Sequence, residues 1–173
     1  MKTENEVSTE KEVFIKMIVS AWETQNTRIN KLLETLSDEQ LMSETAPGRN
    51  RGIYLLGHLT AVSDGMLPLL GWGERLYPQL ENIFVTQPDK AAVSIPSVAD
   101  IKKYWHNVNA KVTAQINAMQ ADDWFTRHNV VSAEDFAKEP HRNKLNILVS
   151  RTNHHSYHLG QLAFLGQRKS VKS

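Results

Sequence analysis

The chain has 173 residues, 40% of them hydrophobic and 23% charged, with a formal net charge of +1. That length suits one domain, residues 1–173, with a sizeable core, and the near-neutral balance argues against a dedicated nucleic-acid surface, which carries a clear basic excess. There are no cysteines, so disulfides, thiolate metal sites and cysteine nucleophiles are excluded and any metal must use His, Asp, Glu or water.

In chain order, the polar and acidic stretch Met1 to Glu12 lacks the apolar core of a signal peptide. Thr9 and Glu12 have the spacing of a capping box. After them Phe14, Ile18, Ala21, Gln25, Ile29, Leu32 and Leu36 recur at helical spacing, with Asn26 and Asn30 expected on the polar side. Ser37 with Gln40 offers a second box before the turn at Pro47-Gly48. A second helix is expected from about Asn50 to about Leu70, with Tyr54, His58, Ala61, Val62 and Gly65 along one side. Pro68 should kink it or end it early. No segment approaches the ~18 consecutive apolar residues of a membrane span, so the expected location is the cytoplasm.

The stretch Gly71 to Pro96 holds Gly73, Pro78 and Pro88 and reads as a long connector. A third helix should start after Pro96 with Ser97 as N-cap, carrying the stripe Ile101, Trp105, Val108, Val112, Gln115 and Met119. Between Ala121 and Pro140 no period is evident; Trp124, Phe125 and Val130-Val131 suggest a cover over one end or a short hairpin. The fourth helix is expected from about Arg142 to about Gln167, followed by the solvated basic tail Arg168 to Lys172. Its apolar stripe is read as Leu145, Val149, Thr152, Ser156, Leu159 and Ala163, with His154, His158 and Gln161 opposite.

Taken together, the pattern is all-α: a four-helix bundle, up-down-down-up, with a long crossover between helices two and three. At 1.5 Å per residue, His58 lies ~12 Å from the start of helix two and His158 roughly 14 Å from the end of helix four. In antiparallel neighbours these levels coincide. His154 and His158, four apart, share one helix face, so the topology brings three imidazoles to one height. Apolar flanks would keep them neutral, the form that binds metal. Three ligands leave open positions, the mark of a catalytic rather than a structural site. An all-nitrogen set suits Zn²⁺ or Ni²⁺, with Fe²⁺ or Mn²⁺ as further candidates.

A lone histidine pair at this spacing is more often a packing feature than a metal site, His58 at the same level strengthens the metal reading, and a structural bundle or a non-catalytic metal-binding scaffold stand as alternatives. The zincin pattern fails because His155 stands where its glutamate would be, and no Glu-x-x-His pair supports a ferritin-like di-iron site. Asn153 and His155 fall off the ligand face. Gln161, one turn beyond His158, and Tyr54, one turn before His58, are candidates for the pocket or for supporting the ligands. His106, His128 and His141 read as surface or packing residues.

The motifs Leu56-Gly57-His58-Leu59 and His154-His155-Ser156-Tyr157-His158-Leu159-Gly160-Gln161 resemble those of the DinB/YfiT-like metal-binding four-helix bundles. That pattern is a Gly-His-Leu-like histidine on helix two and His-x-x-x-His-x-Gly-Gln on helix four. Leu159 departs from it, since a basic residue is frequent there. The resemblance runs over essentially the whole chain and implies that His58, His154 and His158 are the ligands. It further implies a metal-dependent thiol transferase acting on a small molecule with a low-molecular-weight thiol, or else a metal-dependent hydrolase, and a homodimer. The apolar end of helix four, Leu162 to Leu165, would suit that interface or a covered bundle end.

Overall fold

A computed structural model describes residues 9–91 and 94–166; the start of the acidic N-terminus, Gln167 and the basic tail lie outside that range. The described residues are mostly helical, with no strand among them and two isolated bridges, Glu44 with Arg51 and Arg127 with Asn143.

Helix α1 spans Glu10–Thr35, and the capping box at its start forms as expected: Thr9 Oγ1 accepts from the Glu12 amide while Glu12 accepts from the Thr9 amide. The second box, Ser37 with Gln40, starts the short α2, Asp38–Met42. Helix α1 differs from the sequence reading in which face it buries. Trp22, Asn26, Ile29 and Leu33 are buried, whereas Phe14 and Ala21 are exposed. The tryptophan sets the rotation, because it carries the largest apolar surface on the helix. It draws Asn26 inward, and Asn30 becomes useful there by accepting a 2.8 Å hydrogen bond from the Trp105 indole.

The second expected helix is two: α3, Gly52–Asp64, and α4, Met66–Leu70. The break falls at Gly65 rather than at Pro68. Proline has no N–H to give the carbonyl four residues earlier, which is that of Asp64, so the ladder opens there. Asp64 is buried nonetheless, and both its carboxylate oxygens are used, accepting from the Leu76 and Tyr77 amides at 2.8 and 2.9 Å. This ties the start of the long connector to the end of α3. The stretch Gly52–Leu70 also reaches the length and mean hydropathy of a membrane span, although His58, Thr60, Ser63 and Asp64 interrupt its apolar run, in keeping with the sequence reading. Two thirds of that window, 67%, is buried against the other helices, so its apolarity is that of a core element.

The connector is not featureless. It forms α5, Gln79–Glu81, which runs into a π-helical turn, Asn82–Thr86, closed by the Gln87 amide on the Asn82 carbonyl at 3.1 Å. Both turns lie against α3. The far end is fixed by Asp89, which accepts from the Arg51 backbone and guanidinium. Ser97 caps α6, Val98–Ala118, as expected, and that helix buries Ile101, Trp105, Val108, Val112 and Ile116. Residues 121–140 form a 3-10 turn, Asp123–Phe125, and a short α7, Ala133–Lys138, with no hairpin. Trp124 and Val131 are buried there, while Val130 is exposed.

Helix α8, Lys144–Gly166, begins at Asn143, whose side chain accepts from the Asn146 amide. Its buried face is Leu145, Leu148, Thr152, His155, Leu162 and Leu165. The expected stripe through Val149 and Ser156 is rotated by about one residue, because His155 is pulled into the core. Leu162 and Leu165 are fully buried within the chain, leaving Phe164 exposed at that end.

Helix α8 packs along α1 and crosses α3, and α3 packs on α6. Two clusters of buried side chains result. One gathers Ile29, Leu33, Ile53, Leu56, Phe84, Ile101 and Trp105; the other holds Trp22, Met66, Leu67, Val108, Val112 and Leu148. His155 lies where they meet, with its ring centroid 4.4 Å from that of Trp22 and 5.5 Å from that of Trp105.

Candidate metal centre

His58 projects from the middle of α3 and is half-buried; His154 and His158 project from α8 and are half-buried too. Their Nε2 atoms converge. His154 Nε2 is 3.1 Å from His58 Nε2 and 3.0 Å from His158 Nε2. Among the described residues, these three form the one group of metal-ligating side chains with mutually close donor atoms, and no Asp or Glu belongs to it.

The far nitrogens explain the convergence. His58 Nδ1 is 2.7 Å from the Phe84 carbonyl and His158 Nδ1 is 2.6 Å from Gln161 Oε1. A carbonyl and an amide oxygen only accept, so each Nδ1 must carry the proton and each Nε2 must present a bare lone pair. Two such lone pairs face His154 Nε2, which has one proton at most and cannot serve both well. A divalent cation among the three nitrogens satisfies them together. Separations of 3.0–3.1 Å are those of two ligands each about 2.0–2.1 Å from a shared ion. The donor set therefore fits a divalent transition metal.

Electrostatics agrees. Burial holds the His154 ring at a pKa of about 4, with the neighbouring His158, His58 and Arg151 pushing the same way. Burial also lowers His158, partly offset by its bond to Gln161. His154 and His158 are thus neutral at neutral pH, the form of imidazole that binds metal.

The other sequence candidates fall into place around this cluster. Gln161 touches His158 directly. Tyr54 is buried with its ring nearly parallel to His58, centroids 6.5 Å apart, and its hydroxyl donates to the Gln87 carbonyl at 2.7 Å. Its polar end thus holds the connector. Burial and the Asp89 carboxylate raise its pKa, so it stays a neutral donor. His106 and His141 are exposed; His128 is buried, with its Nδ1 accepting from the Val130 amide.

Three contributions were not legible beforehand. The Phe84 carbonyl is backbone and leaves no side-chain signature. Gly57, beside His58, is the residue that admits it: a Cβ there would lie 2.5 Å from the Phe84 ring. The third is His155. It is fully buried, and its Nε2 meets Ser63 Oγ at 3.0 Å. That bond between α8 and α3 fixes the rotation of α8, and so the direction of its neighbour His154. The sequence signals were the glycine of the Gly57-His58-Leu59 motif and the apolar context of the histidine-rich one.

Beside the centre lies a cleft of about 370 Å³, lined among others by Ala61, Val62, Gly65, Val85 and Arg151. Ala61, Val62 and Gly65, expected on the side of the helix that carries His58, line this open space.

Helical elements that bring three half-buried histidines to one point define a protein class, the all-α proteins with a histidine-only site able to hold a metal ion. A sequence model of the DinB superfamily matches residues 21–162, and the chain belongs to that superfamily. No curated protein matches it.

Proposed function

We propose that the protein is a metal-dependent enzyme in which His58, His154 and His158 hold one divalent ion, Zn²⁺ or Ni²⁺ before Fe²⁺ or Mn²⁺, and that it activates a thiol for transfer to or from a small molecule. The observation that carries this reading is the pair of acceptors, Phe84 O and Gln161 Oε1, that fix both outer imidazoles with their lone pairs inward. When bound, the ion would supply Lewis acidity that lowers the pKa of a thiol or water in an open position. The chain orients the three imidazoles, keeps His154 and His158 neutral and provides the adjoining cleft. No carboxylate belongs to the histidine group among the described residues. That favours a thiol, which needs only to lose its proton, over hydrolysis, which gains from a positioned general base.

The reading extends to the architecture: one domain over 1–173, built as an up-down-down-up four-helix bundle. The contact of Trp22 with His155 and the place of the Leu36 side chain, at the end of α1, beside Gly166 support α1 and α8 running in one sense. Those of His58 with His154 and of Ser63 with His155 support α3 packing level with the second half of α8. A cytoplasmic homodimer completes the proposal. Val13, Phe14 and Met17 on α1 and Phe164 on α8 are exposed apolar side chains suited to an interface, and a cysteine-free chain needs no oxidising compartment.

Metal analysis of untagged protein is the test. About one ion per chain is expected, lost in His58→Ala and His154→Ala. Sub-stoichiometric metal that those substitutions leave unchanged would overturn the reading. With metal present, a screen of low-molecular-weight thiols against electrophiles and esters should show thiol transfer. Ester hydrolysis alone would reassign the reaction, and binding without turnover would make the protein a scaffold.

A further inference from the structure

We propose that the cleft beside the histidines binds the carboxylate of a small, otherwise apolar molecule, and that Arg151 recognises its charge. Ala61 and Val62 follow His58 by three and four residues on α3, and Arg151 precedes His154 by three on α8. Residues at these spacings are surface neighbours on a helix, so the cleft they line lies about one helical turn along from the residues that carry the imidazoles, none of which lines it. Its volume, about 370 Å³, falls in the range of small-ligand sites. Val62, Leu69 and Val85 give it apolar walls.

The charges in the cleft do not balance. Arg75 and Glu81 pair at 3.0 Å, and Arg75 also donates to the Ala61 carbonyl, so that carboxylate is taken. Arg151 has no hydrogen-bond or ion-pair partner among the described residues, and its Nε is buried. A half-buried guanidinium without a counter-charge is unfavourable by itself, and its planar fork matches a carboxylate in two parallel hydrogen bonds. The inference rests on the proposed metal centre only for which end of the ligand faces the histidines; the carboxylate half stands apart from it.

Hexanoate and 1-hexanol, equal in length and different in charge, test that half on metal-free full-length protein by NMR titration, with metal content checked on the same samples. Hexanoate should bind roughly tenfold or more tightly than the alcohol, the worth of one charge-assisted hydrogen bond. Arg151→Gln should remove that preference and leave 1-hexanol within about twofold. Arg151→Lys, which keeps the charge and loses the fork, should weaken hexanoate severalfold, and it decides the matter if the glutamine variant does not fold. Equal affinities in the parent protein, no measurable hexanoate binding, or hexanoate binding indifferent to both substitutions would overturn the proposal. Because no metal enters the measurement, a failed metal centre and a failed anion site give different results.

Discussion

Gln161 and His158 form the most informative single contact in the molecule. The 2.6 Å approach of Oε1 to Nδ1 decides which imidazole nitrogen is bare, and such supporting partners are worth about 10–100-fold in metal affinity. Gln161→Leu is therefore expected to weaken metal binding by a factor in that range while leaving the helical circular dichroism spectrum unchanged. Competition with a chromophoric chelator reads the affinity, and an unchanged value would remove Gln161 from the orienting role. The histidine set was legible in the sequence because a four-residue spacing on an apolar helix is a geometric statement. Tyr54 was harder to place. Its position one turn from His58 was clear, but the carbonyl its hydroxyl reaches, that of Gln87, lies in a segment without a period to read.

At the scale of elements, the connector carries what the sequence hid. Its ends are tied by Asp64 and by Asp89, and between them the π turn lays Phe84 against Gly57. Any side chain at residue 57 meets that ring. Gly57→Ala is expected to cost about 1–3 kcal/mol, the usual penalty of an overfilled core, and to loosen metal binding as the Phe84 carbonyl is pushed off His58 Nδ1. Urea midpoints and the chelator competition measure the two effects. Stability lost with metal affinity intact would show that His58 needs no such partner. Boundaries set by local chemistry, such as the boxes at Thr9 and Ser37 and the cap at Ser97, were readable in advance. Rotations about the helix axis were not. Trp22 on α1 and His155 on α8 turned their helices by about a residue, and each did so through contacts with residues distant in sequence.

Across the whole molecule, the core is two apolar clusters joined at a buried imidazole. Burial holds His155 at a pKa of about 3, with the charges of His154, Arg151 and His158 pushing the same way; an unfolded histidine titrates near 6.5. Between those values the unfolded chain takes up a proton that the folded one refuses, so stability rises with pH across the window and is lost as pH falls. At pH 5 this one group should lower the stability of metal-free protein by on the order of 2 kcal/mol relative to pH 7, and His154, lowered for similar reasons, adds with the same sign. Urea denaturation from pH 7 to pH 4 checks this. A flat profile, or one whose slope His155→Leu leaves unaltered, would count against His155 as the group responsible.

The π turn at Asn82–Thr86 has one more consequence. It holds an extra residue per turn, a feature that recurs where a helix must serve a site. Removing a single residue ahead of Phe84 would swing its carbonyl about 100° around the axis, away from the imidazole it anchors. Substitutions along this stretch leave the backbone bond intact, while an insertion or deletion severs it. The connector can drift in its letters far more freely than in its count.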